Sequence, residues 1–300
     1  MKFIMLSVEH NPLQWAPDMF EVRKMTGGKR IARKLWVAVA GCVLLAGCST
    51  SPTGRSQLML VSPEQAITAS KQAYTSTINP LDAEGKVDAD PAEVKRVRRI
   101  TGRIVAQAIK LYPHTSDWDW NVKVIDDPEN VNAWCMAGGK MAVYTGLIDK
   151  VKPTDDELAQ VMGHEVAHAL ANHTAERMSM AMATQAGLMG LAIGMGSSKY
   201  GDVTLTGAAL AASVAVSLPN SRTAESEADQ IGMELAARAG YDPRSAATLW
   251  QKMEQVSGGG PLEWLSTHPA PGNRQQHLGE LAPRMMQYYL DKTPRPAYTF

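Results

Sequence analysis

His164-Glu165-Val166-Ala167-His168 is the segment whose residue types and spacing point most directly to chemistry. On a helix, positions i and i+4 project from one face about one turn apart, so His164 and His168 can share a tetrahedral divalent cation, with Glu165 beside them as a base. Two imidazoles leave such a centre incomplete, because a hydrolytic site uses three protein ligands and keeps a fourth position for water. One class of zinc peptidase places a His six residues after the second ligand, but Thr174 stands there and Ala171 replaces the glycine that class requires. His173 falls one place too early and reads as a surface residue or a support to the ligands.

A candidate third ligand lies in Ser221-Arg222-Thr223-Ala224-Glu225-Ser226-Glu227-Ala228-Asp229. Glu225 and Asp229 share a helix face at i and i+4, where like charges repel unless a cation is near. With zinc present they can divide the work: Glu225 binds the metal, and Asp229 accepts the free ring N–H of a ligand His and fixes its tautomer. Glu227 points to another face and is expected to be a solvated surface acid. The chain has three cysteines and no Cys-x-x-Cys pair, so neither a disulfide framework nor a zinc knuckle is expected. Cys135 reads as a buried, inert thiol.

The elements that must carry these residues announce themselves by their caps. Ser62-Pro63-Glu64-Gln65 opens a helix to about residue 78, and Asp90-Pro91-Ala92-Glu93 opens a second, with Val94, Val97, Thr101, Ile104, Val105 and Ala108 along one face. The period then changes to two. Trp118, Trp120, Val122 and Val124 alternate with polar residues, and Met141 and Val143 follow Gly138-Gly139, which predicts strands, the second in a hairpin. Thr154-Asp155-Asp156-Glu157 starts the helix bearing His164, Glu165 and His168, and helical patterns dominate from there. Gly240 closes the helix that begins near Thr223, Asp242-Pro243 opens another, and Gly258-Gly259-Gly260 marks a loop. Residues 178–218 are rich in Ala, Gly, Met and Ser. Lys199 to Asp202 splits them into runs too short to span a bilayer, so two small-residue helices packed in or over the protein are expected. The predicted fold is α+β, mainly helical, with a small antiparallel sheet or hairpin packed on the helices of the site.

Lys29, Arg30, Arg33 and Lys34 precede an apolar run over 35–46 that ends in Leu45-Ala46-Gly47-Cys48. That run is short of the ~20 residues a spanning helix needs, and the pattern resembles a bacterial lipoprotein signal, which implies cleavage before Cys48 and acylation of its thiol. Residues 1–24 lack signal character and Met25 would make a normal start. The expected organisation is therefore a signal region over 1–47, a lipidated tether over 48–61 and a catalytic domain over 62–300. The whole chain balances 30 basic against 30 acidic residues, and 45% of it is apolar. Such a composition excludes a disordered tail, a nucleic-acid arm and a polytopic membrane protein. Removal of 1–47 takes away seven basic and three acidic side chains, leaving 23 against 27, so no nucleic-acid partner is expected.

Taken together, H-E-x-x-H and the downstream S-R-x-x-E-x-E-A-D-x-x-G resemble the gluzincin peptidase family of HtpX, the CAAX prenyl proteases and the mitochondrial Oma-type proteases. Within the family it resembles the periplasmic lipoprotein members, LoiP-like proteins and the catalytic domain of BepA. The match extends from Gly54-Arg55-Ser56-Gln57 through Asn132, Val143-Tyr144-Thr145-Gly146-Leu147, Gly232 and Thr267-His268-Pro269 to Arg274. The resemblance implies a zincin-like metallopeptidase domain with one Zn²⁺ per chain. In it His164, His168 and Glu225 are the ligands, Glu165 is the base, and Asp229 orients a ligand. His268 and Arg274 are implied near the site, His268 either stabilising an oxyanion or capping the metal. Neither the spanning helices of HtpX and CAAX-type relatives nor the repeat domain that follows the BepA catalytic unit is expected here, so processing of prenylated proteins within a membrane is not expected.

The implied reaction is hydrolysis of peptide bonds in misfolded or misassembled envelope proteins, on the periplasmic side of the outer membrane, with acylated Cys48 in the bilayer. An extended substrate would add as a strand near 133–144. A rival from another class is a metal-stabilised chaperone or assembly factor for outer-membrane proteins with minor hydrolysis. A second rival is a binding lipoprotein whose metal is permanently capped.

Overall fold

Helices set against a three-stranded sheet make up the fold, and Ser62, Asp90, Thr154 and Ser221 each lie where a side chain satisfies the open amides of a first turn. The computed structural model describes residues 48–194, 220–257, 262–269 and 274–300. At the N-terminal end, β1 (Cys48–Thr50) and β2 (Ser56–Leu58) pair antiparallel. Helix α1 (Pro63–Ala83) opens on Ser62, whose hydroxyl accepts from the Gln65 amide while the Gln65 side chain accepts from the Ser62 amide. Helix α2 (Pro91–Leu111) opens on Asp90, which accepts from the amides of Ala92 and Glu93. The face of α2 expected to be apolar is buried from Val94 through Ala108.

The sheet comprises β3 (Asn121–Ile125), β4 (Ala133–Met136) and β5 (Lys140–Tyr144) in the order β3-β5-β4. β4 and β5 form the expected hairpin, turning through Gly138 and Gly139 at φ +82° and +80°, a left-handed conformation that favours glycine. β3, however, pairs with β5 in parallel, Val122 opposite Met141 and Val124 opposite Val143. The sheet is therefore mixed, where an antiparallel one was expected. Residues 126–132 carry the chain past the position of β5 to the far edge, so β5 returns as the central strand and is buried along its whole length. Trp118 and Trp120 stand ahead of β3, and the Trp120 indole donates to the Thr115 carbonyl at 2.9 Å.

After the short α3 (Thr145–Val151) come α4 (Asp155–Leu170), α5 (His173–Gly194), α6 (Arg222–Ala239), α7 (Ser245–Ser257), α8 (Glu263–Thr267) and α9 (Arg274–Tyr289). Every residue of α4 from Glu157 to Leu170 is buried, packed by α2, α6, α7 and β4. Residues 178–194 of the Ala- and Met-rich stretch continue α5, and the rest of that stretch, with the 258–260 loop, lies outside the described residues. Among the described residues no helix is long and apolar enough to cross a membrane.

The segment expected to be a tether is folded in part. Ser51 and Gln57 are buried, and the Gln57 side chain donates to the Ala171 carbonyl at 2.8 Å. Arg55 reaches Glu176 on α5 and Glu227 on α6, which gives the hairpin two carboxylates to dock on.

Two local features hold α4 in place and each yields a test. Glu157 completes the capping box of Thr154 and also accepts from Thr248 at 2.8 Å and Lys252 at 2.6 Å, tying α7 to the start of α4. Burial alone would raise this carboxyl, but the hydrogen bonds from Lys252, the Thr154 amide and Thr248 outweigh it and hold the group below its usual value. Its stabilisation is therefore present above the unfolded-state pKa and is lost as pH falls through the lowered folded value. Glu157→Gln should cost about 1–2 kcal/mol at neutral pH in denaturant melts, with the difference from the parent closing as the medium is acidified below about pH 4. At the crossing of α4 and α6, a Cβ on Gly232 would lie 2.6 Å from the His164 amide nitrogen and 2.7 Å from the Gly163 carbonyl carbon. Gly232→Ala must part the helices, so a loss of about 1–3 kcal/mol is expected, and an unchanged melting midpoint would show that the crossing has slack.

Candidate metal centre

That close crossing decides what faces what. α4 carries His164 and His168 one turn apart, and α6 delivers Glu225 from its first turn, where the Ser221 hydroxyl accepts from the Ala224 amide at 3.1 Å. His268 comes from the residue that ends α8, its amide bonded to the Trp264 carbonyl. One potential ligand atom from each of these four buried residues lies within 4.8 Å of the others. His164 Nε2 is 3.0 Å from His168 Nε2 and 3.2 Å from His268 Nδ1. The Glu225 carboxylate is 3.3 Å from His164 Nε2, 3.4 Å from His168 Nε2 and 3.1 Å from His268 Nδ1.

These spacings suit a metal. Ligand atoms placed tetrahedrally at the usual zinc distances of about 2.0–2.1 Å stand about 3.3 Å apart. Imidazole nitrogens and a carboxylate oxygen brought this close together are the donor set that borderline-soft Zn²⁺ takes.

Each His on α4 has its own support. His164 Nδ1 faces Asp229 Oδ1 at 3.0 Å, and Asp229 is gripped by Arg274 through Nε at 2.8 Å and Nη2 at 2.6 Å. Arg274 also donates to Glu225 at 3.1 Å and lies over the Trp250 ring. His168 Nδ1 meets His173 Nδ1 at 2.7 Å, and His173 Nε2 meets Glu227 Oε2 at 3.1 Å. Glu165 accepts from the Trp264 indole at 2.9 Å, and the Trp264 ring stacks on His268.

Burial drives His168 well below its usual value and so keeps it neutral, and burial lowers His173 as well. Burial also acts against a charge on His164, but the Glu225 and Asp229 carboxylates outweigh it and push the ring up to about 9. Glu225 is held well below the carboxylate range, burial being overcome by His268 and His164, and Asp229 is lowered by Arg274 and His164 against its burial. The pocket therefore attracts positive charge. Cys135, raised by burial, is the inert thiol expected.

His164, Glu165, His168, Glu225, Asp229, His268 and Arg274 all meet at this place, and Cys48 is exposed at the start of β1, outside it. One reading of the sequence is corrected. Glu227 is buried, at 4% exposure, because the side of α6 away from Glu225 is covered by α5 and the hairpin. Of the two places left open for His173, the surface and a support to His168, the structure shows the second: it is fully buried against His168 and Glu227. Trp264 was missed, although its place four residues before His268 put it on the same face of a short helix.

Comparison with known proteins places this architecture. The profile of Peptidase family M48 matches residues 91–282. Mitochondrial metalloendopeptidase OMA1 of Bos taurus is 33% identical over 244 residues, which cover 78% of this chain and 46% of that protein. Two metalloproteases of Escherichia coli (strain K12) also match: LoiP is 27% identical over 254 residues and YcaL 26% over 262, each covering 82% of this chain and 95% of the relative. The chain thus spans about half the length of the OMA1 relative and nearly all of LoiP and YcaL. With a mainly helical, zincin-like fold and a buried His-His-Glu cluster on its H-E-x-x-H helix, the chain belongs to peptidase family M48.

Proposed function

We propose that this chain is a zinc-dependent endopeptidase that cleaves misfolded or misassembled envelope proteins. On this reading it is held to the periplasmic side of the outer membrane by acyl chains on Cys48. The observation that carries the enzymatic part is the convergence of one ligand atom each from His164, His168 and Glu225 within 4.8 Å, with Glu165 next to His164 on the same helix. Zinc in such a site supplies Lewis acidity, which polarises a peptide carbonyl and activates water near neutral pH. His168 offers a neutral nitrogen, His164 offers its Nε2 once a metal takes the place of the proton there, Glu225 offers the anionic oxygen, and Asp229, fixed by Arg274, holds the remaining ring proton of His164 on Nδ1. Glu165 takes the proton of the attacking water and returns one to the leaving amine. β4 is the last strand of the sheet and packs on α4, but its four residues are buried, so an extended peptide adds along it as a strand only when the cover over that edge moves aside.

His268 Nδ1 stands among the ligand atoms, and its Nε2 is 3.4 Å from Glu165. That position supports the capping role over the oxyanion role: a fourth protein ligand fills the place that water needs. Four protein ligands are also the signature of a structural zinc site. This favours, as a second reading, an assembly factor for outer-membrane proteins in which metal only stabilises the fold.

Glu165→Gln separates the two. The peptidase reading expects one zinc per chain to remain while casein cleavage falls about a hundredfold or more, and it expects chelation to abolish parental cleavage and zinc to restore it. Cleavage that survives either treatment would remove the mechanism, and a Glu165→Gln chain that retains full cellular function would favour the assembly factor. His268→Ala should raise the basal cleavage rate about tenfold, the effect of relieving a closed state favoured by about 1.4 kcal/mol. A fall in rate with zinc retained would instead assign His268 to oxyanion stabilisation.

A further inference from the structure

The hairpin that follows Cys48 docks on the supports of the metal helix through charged groups that no catalytic step uses. In its turn, Thr53 donates through its hydroxyl to Glu227 Oε1 at 2.6 Å, and Arg55 donates through Nε to Glu227 Oε2 at 2.9 Å. The same guanidinium forks onto Glu176, both contacts at 2.6 Å. Gln57 donates to Glu176 at 3.0 Å and to the carbonyl of Ala171, the residue that ends α4. These partners lie more than 110 positions away in the chain, so the hairpin belongs to the tertiary structure of the site.

From Glu227 the contacts run inward. With Nε2 of His168 turned toward the other ligands, its Nδ1 must carry the ring proton and donate it. His173 then accepts at Nδ1, which leaves its own proton on Nε2, and that proton is donated to Glu227. Glu227 cannot turn away, because Thr53 and Arg55 hold both of its oxygens inside a site where its side chain is only 2% exposed. Every donor in this chain of contacts has one acceptor, and only one assignment of ring protons satisfies all of them.

We propose that the 51–57 hairpin is a positioning element for the metal centre, in which Thr53 and Arg55 fix Glu227, Glu227 sets the tautomer of His173, and His173 orients the His168 ring. This rests on the proposed reading of His168 as a metal ligand. None of the four is a catalytic residue, since none reaches the ligand cluster except through His168. His164 draws its support from Arg274 within the fold, whereas His168 draws its support from the segment next to the expected lipid anchor.

The test uses the full chain and reads zinc affinity by competition with a chromophoric chelator, the visible spectrum of the cobalt-substituted protein, and the unfolding midpoint. Arg55→Ala and Glu227→Gln should each weaken zinc binding about 10- to 100-fold and alter the cobalt bands, with Arg55→Lys restoring part of the loss. Thr53 is exposed, so Thr53→Val retains the fold and should give a smaller loss in the same direction. Parental affinity and an unchanged cobalt spectrum in these variants, even with a lowered unfolding midpoint, would show the hairpin to be a structural staple and overturn the proposal. A parent chain that binds no stoichiometric zinc would instead overturn the reading of His168 as a ligand, and the positioning role with it.

Discussion

Three imidazole nitrogens and a carboxylate crowded within 4.8 Å inside a protein repel one another unless something positive lies between them. The charged groups around them leave an imbalance: Glu165, Glu225 and Asp229 bring three carboxylates, against the guanidinium of Arg274 and that of Arg177, which acts on Glu225 and Glu165. Unit charges about 4 Å apart interact by about 4 kcal/mol at an effective dielectric near 20, so the remaining negative charge is costly to bury. A proton on His164 relieves part of it, in keeping with the upward displacement of that ring. A divalent cation would relieve it for all of the ligands together, and the rest of the architecture serves to hold the ligands at the spacing such an ion needs.

The crossing of α4 and α6 is the first consequence. Side chains at Gly163 and Gly232 would collide with the opposing backbone, so glycine at both positions lets the helices approach until Glu225 reaches His164 and His168. The supports are the second. A ligand imidazole is useful only if its far nitrogen is fixed, and the two His residues achieve this by different routes, one through Asp229 and Arg274, the other through His173, Glu227 and the N-terminal hairpin. The second route accounts for residues near Cys48 that read as a spacer yet are folded against α5 and α6.

What could be read from the sequence was what a helix repeats locally. The boxes at Ser62 and Thr154, the i and i+4 pair of His164 and His168, and the pair of Glu225 and Asp229 all depend on neighbours within one turn. Glu227 shows the limit of that reasoning. Its periodicity correctly set it on a different face of α6 from Glu225, but whether that face meets water depends on α5 and on a hairpin more than 170 residues away. The same holds for β3, whose alternation revealed a strand and a buried face but not the direction of its partner. Within the tether expected over 48–61, residues 51–57 are folded, because Thr53, Arg55 and Gln57 dock on Glu227, Glu176 and the Ala171 carbonyl, partners far away in the sequence.

Trp264 and His268 belong to one short segment, and this bears on how the site could change state. Trp264 donates to Glu165, which draws electron density from the carboxylate expected to act as base, while His268 holds the fourth place among the ligand atoms. Because α8 spans only Glu263–Thr267, the indole and the imidazole cannot move independently by more than their own side-chain rotations. Withdrawal of that segment would free the base and the coordination place in one step, so activity on this reading scales with the fraction of molecules in which the segment is withdrawn, multiplied by the intrinsic rate of the open site. Substrate can then act as its own activator only if it binds the open form better than the closed one, which an extended peptide competing for the space of Trp264 and His268 would do.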